Sequence, residues 1–128
     1  MLKTRCAVAI IMQDNKIKDE LDLAVLKRLS NDGKTSQRNL SEEMNVSLGA
    51  INYCLRALIK KGLVKAQNFK KSNNKLAYVY LLTPNGFSEK MRLTRKFLAI
   101  KKSEYLKIQN QIKSLEKELN NGVNYRDV

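Results

Sequence analysis

The sequence predicts a mainly α-helical chain with one small β-hairpin, on three observations. Apolar residues recur at helical spacing over Ile17 to Ser30, Gln37 to Asn45 and Leu48 to Lys61. Leu63 to Phe69 and Leu76 to Leu82 read as strands, and the polar, turn-prone run Lys70 to Lys75 joins them. Thr83-Pro84, with the chain's only proline, opens a last helix that can run to about Asn120.

In the first helix Leu21, Ala24, Val25 and Leu29 form the apolar stripe, flanked by Leu26. Asn31-Asp32-Gly33 closes it, since Asn and Gly tolerate the left-handed backbone of a helix end. Thr35 or Ser36 can cap the second helix, and Ser47 caps the third by accepting an orphan backbone N–H. Gly62 ends the third helix. In the second strand Tyr78 and Tyr80 alternate with Val79 and Leu81, a period that suits a strand. Asn121-Gly122 stops the last helix. The expected organisation is an N-terminal extension over 1–16, a compact domain over 17–86, a long helix over 87–121 and a tail over 122–128.

Charge is placed unevenly along the 128 residues, whose net charge is +13. Residues 1–43 hold eight basic and seven acidic groups, and residues 89–128 hold ten and five. Between Glu43 and Glu89 there is no acid, but seven cations: Arg56, Lys60, Lys61, Lys65, Lys70, Lys71 and Lys75. A helix and hairpin without negative charge suit a polyanion such as nucleic acid. The chain has no histidine and only Cys6 and Cys54 as cysteines. That leaves no zinc-ligand cluster, no disulfide framework and no acid–base or nucleophile constellation. No metal, no cofactor and no enzymatic activity are expected, and a reducing cytoplasm is the simplest compartment. Cys6 to Met12, behind Lys3 and Arg5, mimics a signal peptide, but no small-residue cleavage site follows. It is too short to span a bilayer, so no membrane partner is expected.

Leu40, Met44, Val46, Ile51 and Cys54, with small Ser41 and turn-forming Asn45, have helix-turn-helix spacing. Leu40 and Met44 share one face of the first short helix. Ile51, Cys54, Leu55 and Leu58 share one face of the second, and Val46 plugs the corner. Ser41 must be small where the helices cross, and Asn45 can take the positive φ of a tight turn. With the basic hairpin behind it, this predicts a winged helix-turn-helix followed by a long C-terminal coiled-coil-like helix.

On the outer face of the third helix lie Gly49, Asn52, Tyr53, Arg56 and Lys60, beside Ser47 and Leu48 at its start. That chemistry suits the major groove of double-stranded DNA. Asn52 can pair two-fold with adenine. Arg56 can do so with guanine, or clamp a phosphate. Tyr53 offers a hydroxyl and a ring, and Gly49 lets backbone come close. Gln37 and Arg38, at the first helix of the motif, can hold a phosphate. Lys70, Lys71, Asn73, Asn74 and Lys75 at the hairpin tip can reach the adjacent minor groove or its phosphates. Cys54 reads either as a small core residue or as a redox-sensing thiol.

The last helix carries a three–four repeat through Met91, Thr94, Leu98, Lys101, Tyr105, Ile108, Ile112, Leu115 and Leu119, interrupted by Lys101. Phe87, Leu93, Phe97 and Ile100 add a second flank, which packs on the domain or on a partner subunit. Leu98, Tyr105, Ile108, Ile112, Leu115 and Leu119 are the expected dimer seam of a homodimer. Lys90, Arg92, Arg95, Lys96, Lys101 and Lys102 form a further basic cluster. The other class that fits is a winged-helix protein-interaction adaptor, against which the missing acids argue.

Ser47 to Lys65 (SLGAINYCLRALIKKGLVK), with Leu81-Leu82-Thr83-Pro84-Asn85-Gly86 and Leu93 to Leu98, resembles the small MarR-like regulators associated with exopolysaccharide gene clusters. The resemblance spans roughly 18–119. It implies a bacterial dimeric transcription regulator of surface polysaccharide genes. Two departures follow. Asn73, Asn74, Lys75 and Leu76 stand where the wider MarR group carries Asp and Arg in its wing. A single C-terminal helix leaves little room for that group's ligand pocket, so no small-molecule ligand is expected.

Overall fold

The structure, a computed structural model, describes the backbone of residues 2–71 and 75–126 and the side chains of 15–68 and 78–122. The element order is α1 (Leu2–Asn31), α2 (Gln37–Met44), α3 (Leu48–Lys60), β1 (Val64–Lys71), β2 (Lys75–Leu82) and α4 (Pro84–Arg126). This is the predicted mainly α fold: a winged helix-turn-helix followed by a long helix. The chain divides into two compact units, residues 1–93 and 94–128.

Two helix limits differ from expectation. The first helix starts at Leu2 rather than Ile17. No glycine, proline or capping break interrupts the chain between Leu2 and Asn31, so nothing ends the backbone ladder. The last helix passes Asn121 and Gly122 and continues to Arg126. One interior glycine costs a helix only about 1 kcal/mol, which is too little to terminate it.

The core of the first unit is assembled from every element. Val25, Leu26 and Leu29 of α1 meet Leu40 of α2, and Ile51, Cys54, Leu55 and Leu58 of α3. Val64 of β1, Tyr80 of β2 and Leu93 of α4 complete it. Leu26, expected at the flank of its stripe, is fully buried, and Leu23, not expected there at all, is buried too. Phe87, expected to pack, is half exposed, while Leu93 on the same helix is buried.

The helix-turn-helix corner has the expected geometry. Asn45 caps α2 with φ 55° and ψ 46°, the left-handed conformation the turn requires. Ser41 Oγ donates to the Val46 carbonyl at 2.8 Å, and Val46 N–H donates to the Ser41 carbonyl at 3.1 Å. A larger, non-hydroxyl side chain at position 41 would lose the first bond. Ser36 Oγ accepts the Asn39 N–H and Ser47 Oγ the Ala50 N–H, each at 3.1 Å. Of the two candidates for the α2 cap, Ser36 fills the role.

α3 ends in a Schellman arrangement. Gly62 has φ 74°, Leu63 N–H bonds the Leu58 carbonyl at 2.9 Å, and Gly62 N–H bonds Ile59 at 3.0 Å. That use of the Leu63 amide explains why β1 begins at Val64. The start of α4 is tied to the same turn. Thr83 N–H donates to the Leu63 carbonyl at 3.1 Å, and Thr83 Oγ1 donates to Gly62 O at 2.5 Å. Thr83 Oγ1 also accepts the Gly86 N–H at 3.1 Å, capping α4 ahead of Pro84.

β1 and β2 pair antiparallel from Val64↔Leu82 to Lys71↔Lys75. Pairing therefore runs beyond the expected strand ends at Phe69 and Leu76, because the backbone of Lys70, Lys71 and Lys75 continues the ladder whatever the side chains. The segment after α1 adds a bridge, Lys34↔Val79, with Tyr80 N–H bonded to the Gly33 carbonyl at 2.9 Å. Gly33 does not adopt the left-handed backbone expected of it. Among the described residues, positive φ belongs to Asn45 and Gly62. Position 33 needs glycine for a different reason: a Cβ there would lie well under 3.0 Å from the Tyr80 carbonyl oxygen.

α1 and α2 are joined by Arg28, whose Nε lies 2.7 Å from Glu43 Oε2 and whose Nη1 donates to the Asp32 carbonyl. Lys90 Nζ donates to Ser30 Oγ at 3.0 Å, linking the start of α4 to the end of α1. In the second unit, Leu98, Tyr105, Leu106, Ile108, Ile112, Leu115 and Leu119 are all exposed.

Candidate nucleic-acid interface

α3 buries Ile51, Cys54, Leu55 and Leu58 and turns Gly49, Tyr53, Arg56 and Lys60 outward. Tyr53 is 73% exposed, which leaves its ring and hydroxyl open to a partner. Leu48 is also exposed at the helix start. Asn52 is half-buried, and its Nδ2 donates to Gln37 Oε1 at 3.1 Å. The bond joins the start of α2 to the outer face of α3. It leaves Asn52 its Oδ1 and one N–H, the acceptor–donor pair that an adenine edge requires. Arg38 is exposed beside Gln37. Ser47 Oγ is already engaged as the α3 cap.

An open groove runs along this face. Gly49, Asn52, Tyr53, Arg56, Ala57, Lys60 and Lys61 line it, and Lys18 of α1 lines it from the side. Four cations and no acid border it, so the field there is positive. Sequence reasoning missed Lys18 and left Lys61 out of the candidate set. Lys18 lies one turn before Asp22, on the α1 face that meets α3, a placement that only the packing of the two helices reveals.

A second concavity of about 320 Å³ lies on the other side of Tyr53, between α1 and α3. Ile17, Leu21, Ala50, Tyr53 and Ala57 make it apolar, with Lys18, Asp22 and Cys54 also on its walls. Asp22 is buried and accepts a hydrogen bond from the Cys54 thiol, Sγ to Oδ1 3.2 Å. Burial raises the Asp22 carboxyl above the usual aspartate range, opposed by the thiol bond and by Lys18 and Lys61. Burial, then the hydrogen bond to Asp22, pushes the Cys54 thiol up to about 12. Cys54 is a protonated core residue, not the reactive thiol that was its alternative reading.

The side chains of Lys70, Lys71, Asn73, Asn74 and Lys75 at the hairpin tip lie outside the described residues, as does that of Cys6. Among the described residues no cluster of histidine, cysteine, aspartate or glutamate could hold a metal. No helix there is long and apolar enough to cross a membrane.

Three helices with this turn, followed by a paired hairpin, define a winged helix-turn-helix domain. Residues 18–65 match the family model described as winged helix-turn-helix DNA-binding. No curated protein matches the chain. Among solved structures, the fold is similar to that of a PadR-like transcriptional regulator from Bacillus cereus. That match has 19% identity and a TM-score of 0.59, covering 65% of this chain and 85% of the other. It is also similar to the adhesin competence repressor AdcR from Streptococcus pyogenes, with 13% identity and a TM-score of 0.58 over 94% of this chain and 93% of that one. A MarR family transcription regulator matches at 16% identity and a TM-score of 0.54, over 91% and 87% of the two chains. At these identities the likeness is one of fold.

Proposed function

We propose that this chain is a transcription regulator that binds a specific double-stranded DNA site as a homodimer. The observation that carries the proposal is the outer face of α3: exposed Tyr53, Arg56 and Lys60 beside Asn52, in a groove whose charged residues are all cations. In this reading Asn52 and Arg56 meet base edges in the major groove, with Ser47, Leu48, Gly49 and Tyr53 against the rim. Gln37 and Arg38 hold a flanking phosphate from the start of α2. Lys70, Lys71, Asn73, Asn74 and Lys75 meet the neighbouring minor groove or its phosphates. The seam Leu98, Tyr105, Ile108, Ile112, Leu115 and Leu119 joins two copies, since a helix with that stripe in water is otherwise unfavourable. Control of exopolysaccharide genes rests on the sequence resemblance alone, carried by Ser47 to Lys65, Leu81 to Gly86 and Leu93 to Leu98.

A homodimer places two recognition helices about 34 Å apart, so its site is a pseudo-palindrome with half-sites one turn apart. The test is fluorescence polarisation against random duplex DNA and against fragments the protein selects from a pool. If each subunit neutralises about four to five phosphates, log K falls with log salt at a slope of about −7 to −9. Binding that ignores salt, or the absence of any selected sequence, would reject the proposal and favour a protein-interaction adaptor.

A further inference from the structure

The second unit bears an apolar stripe with a polarised border. Leu98, Tyr105, Ile112 and Leu119 alternate with Lys101, Ile108 and Leu115 in a three–four repeat, and the hydrophobic members are all exposed. A shallow groove follows the stripe, with Tyr105, Ile108 and Ile112 in its wall beside Gln109, Lys113 and Glu116. The residues immediately beside the seam differ between its ends. Arg95 and Lys102 border the early part, Glu104 the middle, and Glu116 and Glu118 the late part. Lys101 sits within the seam itself and pairs with Glu104 on its own helix at 3.2 Å.

We propose that this helix pairs with a second copy of itself in antiparallel orientation, with Tyr105 opposite Ile108 of the other copy. The inference rests on the homodimer proposed above and adds its geometry. A parallel pair brings each seam residue against its own equivalent, so Lys101 faces Lys101 across a desolvated layer. It also sets the basic early half beside the basic early half and creates no attractive border pair. Antiparallel pairing about a centre between Leu106 and Lys107 changes each of these. Lys101 meets Ile112, Leu98 meets Leu115 and Thr94 meets Leu119. At the border Arg95 comes beside Glu116, twice by symmetry, and no two like charges face each other. The opposed helix dipoles add to the preference.

The experiment is a spin-label distance measurement on the full chain carrying Cys6→Ser and Lys117→Cys. Cys54 is buried and protonated, and stays unlabelled. Lys117 lies about 10 residues from the proposed centre, so antiparallel labels are separated by about 31 Å along the axis and about 37 Å in all. In a parallel pair they stay at one height, about 20 Å apart. A distance near 37 Å supports the inference. One near 20 Å overturns it and leaves the homodimer standing. No dipolar coupling, with a monomer mass in analytical ultracentrifugation, overturns the homodimer and this inference with it. A charge cycle checks the register. Arg95→Glu should weaken dimerisation roughly two- to thirtyfold, and adding Glu116→Arg should restore it. Failure of the second change to restore the dimer would reject the proposed register.

Discussion

Gly33→Ala isolates the contact that ties the α1–α2 connection to the sheet. The new methyl would meet the Tyr80 carbonyl oxygen at well under 3.0 Å, against backbone that cannot rotate away. The loop must retreat by the better part of an ångström. Retreat breaks the Tyr80 N–H to Gly33 bond of 2.9 Å and the Lys34↔Val79 bridge. One backbone hydrogen bond contributes about 0.5–1.5 kcal/mol, and overpacking of this kind costs about 1–3 kcal/mol. The sum is a destabilisation of roughly 2–4 kcal/mol. Urea unfolding followed by far-UV circular dichroism measures it, at one protein concentration throughout because a dimer's stability depends on it. Gly122→Ala is the internal control. It meets nothing within 4 Å and lies inside α4, so helix propensity alone should hold or raise stability by up to about 1 kcal/mol. A Gly33→Ala protein that unfolds within about 0.5 kcal/mol of the parent would refute the close approach.

Four further outcomes are expected. Arg56→Ala or Asn52→Ala should each weaken binding to a selected site by about 1–3 kcal/mol per half-site and relax its sequence preference. Lys18→Ala and Lys71→Ala should weaken all sequences alike and flatten the salt slope by about 1 for each phosphate no longer neutralised; filter binding against matched and scrambled duplexes separates the two patterns. Asp22 has its carboxyl raised by burial, so the stability tied to its protonated form is complete below the ordinary value of 3.8 and is lost as pH rises through the raised value. Asp22→Asn should therefore melt higher than the parent at pH 7, with the gain shrinking as pH falls toward 3.8, and a gain that grows on acidification contradicts the sign. Cys54, with its thiol pushed up to about 12, should react with a disulfide reagent at pH 8 only as fast as the fold opens; prompt labelling of a Cys6→Ser protein rules out the buried thiol.

The parts of the fold set by local rules were legible in the sequence. Asn45 announced its left-handed turn, and Ser47 and Thr83-Pro84 announced two helix starts, because a cap or a turn is decided within about four residues. The outward face of α3 followed from helical period alone. What escaped depended on partners distant in sequence. The need for glycine at position 33 is set by Tyr80, and that at position 86 by the Leu63 carbonyl, neither of which leaves a local pattern. Asp22 gave no signal because a buried carboxylate is rare, and its hydrogen bond from Cys54 with the charges of Lys18 and Lys61 makes this one tolerable. Lys18 joins the groove through the packing of α1 on α3, a relation that period cannot supply. The Asn52–Gln37 bond likewise needs both helices in place.

The splice between the end of α3 and the start of α4 carries one more consequence. Gly62, Leu63, Thr83 and Gly86 are held together by main-chain atoms and a single hydroxyl. Side chains around that knot can drift while its wiring persists, and residues that read DNA must drift whenever the target site does. A fingerprint of Gly-Leu, about twenty residues, then Thr-Pro-x-Gly should therefore find remote cousins that a probe built on the outer face of α3 would overlook.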